Sequence, residues 1–126
     1  MHVTGPCVVS SDPARPNCVE SSRYQECLGS SGGCEGYRGK EVCTITGSPL
    51  LMARPLDVEA FSTEAYDNLK VNNVKYSGAA GPDGVVANDE IIWSSDDHAQ
   101  HPGWKFCFGD GSPVIEPPRP PAQDTL

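Results

Sequence analysis

A chain of 126 residues with a formal charge of −8 is the length of one domain. It has no run of lysine or arginine able to meet successive phosphates, which argues against nucleic acid as a partner. No stretch approaches the roughly eighteen apolar residues of a membrane-inserted helix. At 37% hydrophobic and 7% aromatic residues the apolar supply is thin, so a stable core needs covalent or metal staples to offset the entropy of ordering the chain.

The first six residues, Met1 to Pro6, carry neither the basic nor the apolar region of a secretory leader. Six cysteines follow, Cys7, Cys18, Cys27, Cys34, Cys43 and Cys107. An even number in a short chain with 13 glycines and 12 prolines predicts three disulfides and an oxidising compartment. No C-x-x-C pair occurs, so a cysteine zinc site has no support, and the fifteen possible pairings stay open at this point. Together these features predict a domain cut from a longer secreted or cell-surface protein, with that protein's other domains as neighbours.

Between Cys7 and Cys43 the chain is rich in Ser, Gly and Pro and reads as loops. Strands are predicted at Val42–Thr46, Leu56–Phe61, Leu69–Tyr76, Val85–Ala87, Ile91–Ser94 and Trp104–Phe108, short runs with apolar or period-two character between turn residues. Asn72-Asn73 marks a hairpin turn inside the third of these, because asparagine tolerates positive φ. From Ser112 onward Pro113, Pro117, Pro118, Pro120 and Pro121 read as a linker. The expectation is an all-β, disulfide-stapled, two-sheet antiparallel β-sandwich of the jelly-roll type over residues 1–111, followed by a proline-rich tail at 112–126.

Three acids fall where strands run out into loops. Glu59 lies on a strand that leads through a turn to Asp67, and Asp96 ends a later strand, so one tip of a sandwich can gather all three carboxylates. Such a group repels itself unless a cation occupies it, and oxygen donors on irregular loops suit calcium. Other chemistry is poorly supported. His98-x-x-His101 runs directly into Pro102-Gly103 and reads as a loop, not a helical metal motif. There is no G-x-S-x-G elbow and no cysteine expected to be free, so nucleophilic catalysis has no candidate and no enzyme is predicted. Trp93 and Trp104 sit in strands and read as core, although an aromatic and polar face for a glycan is the alternative.

The order Leu56-x-Val58-Glu59, Tyr66-Asp67, Ser95-Asp96 and Gly103-Trp104, with Tyr37 ahead of Val42-Cys43 and the turn Ser77-Gly78-Ala79-Ala80-Gly81-Pro82, resembles the CUB domain family from about Cys7 to Phe108. The resemblance implies a jelly-roll sandwich that binds calcium through the carboxylates of Glu59, Asp67 and Asp96 and the backbone carbonyl of His98, with Tyr37 and Asp97 supporting the cluster or meeting a partner. It further implies disulfides Cys7–Cys107, Cys18–Cys43 and Cys27–Cys34. The function implied is recognition, at the acidic loop end, of a basic side chain on a protein partner, usually lysine. A carbohydrate-binding module on the same fold, or a structural spacer appended to a secreted protease or hydrolase, are the rival readings.

Overall fold

The computed structural model describes residues 1–10, 16–27, 36–96 and 101–109. Among them the chain forms nine strands and two single-turn helices: β1 (His2–Thr4), β2 (Val8–Val9), β3 (Cys18–Glu20), α1 (Tyr24–Cys27), β4 (Val42–Thr46), α2 (Pro49–Met52), β5 (Leu56–Ser62), β6 (Asn68–Val71), β7 (Val74–Tyr76), β8 (Ile91–Ser94) and β9 (Gly103–Phe108). They make two antiparallel sheets, one of order β1-β4-β8-β6-β7 and one of order β2-β3-β9-β5.

Side-chain alternation explains why the sheets face each other. On β4, Cys43 and Ile45 are buried while Val42, Thr44 and Thr46 look outward; on β6 Leu69 and Val71, and on β8 Ile91 and Trp93, point the same way as Cys43 and Ile45. From the four-stranded sheet Val19, Leu56, Trp104, Phe106 and Phe108 meet them in one core cluster. An aromatic spine crosses between the sheets: Tyr37 lies edge-on to Trp93 at 4.8 Å, Trp93 to Trp104 at 5.7 Å, and Phe106 stacks on Trp104 at 5.4 Å. Such pairs stabilise by about 0.5–1.5 kcal/mol each beyond their buried area. Both tryptophans are fully buried, so neither serves as a sugar platform.

The late strands follow the period-two pattern. Val42–Thr46 and Ile91–Ser94 form as predicted, and Asn72 and Asn73, with φ of 54° and 66°, make the β6–β7 turn. The early strands did not show in the sequence. All three residues of β3 are buried, which erases alternation, and β1 and β2 are edge strands of two or three residues. Val85–Ala87, predicted as a strand, is irregular; it lies along the free edge of β5, where Leu56 N donates to Val85 O at 2.8 Å and Val58 N to Asp83 Oδ1 at 2.9 Å. The described fold runs to Gly109, and the tail at 112–126 lies outside the described residues.

Two of the implied disulfides are replaced. The bridges are Cys7–Cys43 and Cys18–Cys107, not Cys7–Cys107 and Cys18–Cys43. The cause is register: β3 pairs with β9 so that Cys18 and Cys107 are direct cross-strand partners. Cys7, in the crossing from β1 in one sheet to β2 in the other, is left beside Cys43 on β4, the neighbour of β1. Cys34 of the implied Cys27–Cys34 pair lies outside the described residues. Intramolecular bridges of this kind belong to an oxidising compartment.

Candidate functional site

After β5 the chain turns over Thr63 to Asp67. Thr63 N donates to Gly78 O at 2.9 Å, Gly78 N donates to Thr63 Oγ1 at 2.8 Å, and Asp67 N donates to Glu64 O at 3.0 Å, closing a four-residue turn. Glu64 Oε2 accepts the Tyr66 amide at 2.8 Å. A turn brings its first and fourth residues together, so Glu64 and Asp67 share one tip of the sandwich.

Asp96 reaches that tip from β8. Ser95 is held by reciprocal bonds with Glu41: Ser95 N donates to Glu41 O at 3.0 Å and Glu41 N to Ser95 Oγ at 2.9 Å. The Lys40 amide donates to Asp96 O at 2.8 Å, and the Asp96 amide donates to Asp67 Oδ1 at 2.8 Å. Glu41 is itself buried; its carboxylate accepts from Trp93 Nε1 at 3.3 Å, from the Arg38 amide at 3.2 Å and from the Ser22 hydroxyl. The loop that carries Tyr37 is thereby tied to β8.

Tyr37 is the keystone of the tip. Its hydroxyl donates to Asp67 Oδ2 at 2.5 Å and accepts the Glu64 amide at 3.0 Å, while its ring packs on Trp93. Burial, reinforced by the bond to Asp67, raises its phenol well above the usual range. Asp67 is 1% exposed, and its carboxyl is raised from its ordinary 3.8 first by desolvation; the bonds from Tyr37 and the Asp96 amide oppose the rise, and the nearby charges of Asp96 and Glu64 add to it.

One carboxylate oxygen from each of Glu64, Asp67 and Asp96 lies within 4.8 Å of the others. Oxygens around one calcium ion, each at about 2.3–2.6 Å, are separated by no more than roughly 5 Å, so the spacing fits a single ion. Glu64 Oε1 is buried and has no hydrogen-bond partner among the described residues. A buried carboxylate oxygen left without a partner is costly, and a hydrogen-bond donor, a proton or a hard cation relieves it.

The structure thus brings together Asp67, Asp96 and Tyr37, and not Glu59. Leu56 and Val58 point into the core, so alternation along β5 turns Glu59, like Asp57, to the outer face of the four-stranded sheet, where it is the extra residue of a bulge between Val58 and Ala60. There its Oε1 sits 3.4 Å from Lys105 Nζ and its Oε2 3.6 Å from Cys107 Sγ. Glu64 stands where Glu59 was expected, and the legible signal for it was the spacing of Glu64 and Asp67 across a four-residue turn. Asp97 and His98 lie outside the described residues. The carbonyl of His101 accepts the Tyr37 amide at 3.4 Å. No protein-family model matches the chain, and no curated protein and no solved structure is significantly similar to it.

Proposed function

We propose that the protein is a non-catalytic, secreted or cell-surface recognition module whose acidic tip is ordered by a calcium ion and docks a basic side chain, lysine foremost, of a protein partner. The observation that carries this reading is the Glu64–Asp67–Asp96 triad with its buried, partnerless Glu64 oxygen. Glu64, Asp67 and Asp96 would hold the ion, and Tyr37 would keep Asp67 ionised and oriented beneath it. Loop-borne oxygens without a regular octahedral frame favour calcium over magnesium. The ion neutralises only part of three carboxylates, so the tip stays negative and attracts an ammonium group through charge-assisted hydrogen bonds. Tyr66, which is largely exposed and stands between two of the acids in sequence, offers an aromatic face at the rim of that charge.

The test is thermal unfolding of the disulfide-intact protein in calcium and in chelator, followed by titration with N-acetyl-lysine methylamide. At ten times its Kd, calcium stabilises by about 1.4 kcal/mol, a rise of several degrees in Tm. Glu64→Gln and Asp96→Asn should each abolish that rise, and the lysine probe should bind only with calcium present. Equal melting temperatures in calcium and chelator defeat the proposal.

A further inference from the structure

Two adjoining clefts lie at the pole opposite the acidic triad. Ser94, next to the triad, pairs with Val42 and Asn68, whereas the far ends of the same strands bring Ile45 to Ile91 and Val71 to Val74. At that far end a cleft of about 380 Å³ is lined by Lys70, Asn73 and Ile92 and by Asn88, Asp89 and Glu90. A second cleft, of about 310 Å³, shares Asn88, Asp89 and Glu90 and continues to Thr46, Pro49 and Met52. Each has the volume of a small-molecule site, for which the usual lower bound is about 300 Å³.

We infer that these joined clefts bind a short neutral saccharide. The lining mixes donors and acceptors: Lys70, Asn73 and Asn88 bring an ammonium and side-chain amides to the same cleft as the carboxylates of Asp89 and Glu90. A free anion is repelled by the two acids, which outnumber the one lysine. A hydroxyl group both donates and accepts, so a polyol satisfies both kinds of wall at once. Ile92, Pro49 and Met52 supply apolar surface for the C–H faces of the sugar rings.

The polar wall is also built in advance. Asn72, in the left-handed conformation with φ of 54°, donates through Nδ2 to Val86 O at 2.9 Å and accepts the Asn88 amide on Oδ1 at 2.7 Å. Asp89 Oδ1 accepts the Glu90 amide at 2.7 Å. A loop clasped in this way loses little freedom when a ligand arrives. The clefts contain no aromatic ring among the described residues that line them, so the affinity belongs in the millimolar range and not below it.

The experiment is a titration of the full, disulfide-intact, nitrogen-15-labelled chain, in chelator, with maltotriose, cellotriose and tri-N-acetylchitotriose, and in parallel with a heparin-derived sulfated tetrasaccharide. At least one neutral trisaccharide should shift the amides of residues 70–73 and 88–90, with an affinity that calcium leaves unchanged. Lys70→Met and Glu90→Ala, which leave the backbone amide of residue 90 in place and remove side chains that make no ion pair or hydrogen bond shown among the described residues, should each weaken binding about tenfold with the spectrum otherwise preserved. The proposal is overturned if no neutral saccharide shifts these amides, if the sulfated probe binds better than all of them, or if the two variants bind as the parent does. Calcium independence separates this outcome from failure of the acidic tip.

Discussion

Glu59 and Glu64 stand on one stretch of chain, on either side of the end of β5, and meet opposite fates. Glu59 faces Lys105 on the outer side of the four-stranded sheet, beside the Cys18–Cys107 bridge. Glu64 turns into a tip shared with Asp67 and Asp96 and keeps one buried oxygen without a partner. The first acid is paired with the protein's own lysine, and the second keeps an oxygen that no described group satisfies. What separates the two is whether the described fold itself supplies the partner.

The largest test of this contrast removes the covalent support from the Lys105 side. A Cys18→Ser, Cys107→Ser double variant reopens a link of sequence separation 89 and should lose about 4–5 kcal/mol in denaturant unfolding. Its stability increment from calcium should persist, because the triad takes its shape from Tyr37 and Ser95; loss of that increment would show that the two regions act as one. Next, Lys105→Met removes the ion pair of a glutamate on the exposed outer face and should cost up to about 1 kcal/mol. Adding Glu59→Gln should recover part of that loss. The same change on the other acid has the opposite sign. Glu64→Gln keeps an oxygen for the Tyr66 amide and puts an NH₂ donor among the carboxylates of Asp67 and Asp96, so in chelator it should stabilise the protein by about 1 kcal/mol. Destabilisation by Glu64→Gln in chelator, measured by urea unfolding, would break the contrast.

How much of this could be read from the sequence follows from the kind of signal each part leaves. Strands with one face in the core, such as Val42–Thr46 and Ile91–Ser94, declare themselves by alternation; β3, buried on all three residues, does not. Asp67 and Asp96 were legible because each ends or precedes a strand at the same tip. Glu59 was misread because it lies within β5, on the face opposite Leu56 and Val58 and short of the strand end, whereas Glu64 lies past that end in the turn that forms the tip. The disulfide partners depended on cross-strand register, which sets Cys18 against Cys107 and is not a property of cysteine spacing. The cleft at the opposite pole was invisible for a similar reason: Lys70 lies on β6 and Glu90 just ahead of β8, and they line one cleft only once β6 and β8 have paired.

The smallest effect, and the one that reads the tip most directly, is its dependence on pH. A carboxyl whose folded pKa lies above its unfolded value holds its proton more tightly in the fold, so protonation stabilises the folded state. For Asp67 that contribution is fully present below the ordinary 3.8 and is lost as the pH rises through the raised folded value. In chelator, acidification through the window just above 3.8 should therefore favour folding at this group, and the stability difference between the parent and Asp67→Asn should change in that window. Glu64→Gln should narrow the window, because it removes one of the charges that raise Asp67. Calcium reverses the slope: the ion requires the ionised carboxylate, so its stabilisation should grow with pH and fade on acidification through the same range. Paired urea titrations across that range, with and without calcium, measure both slopes, and parallel curves would mean that Asp67 is not part of the cation's binding shell.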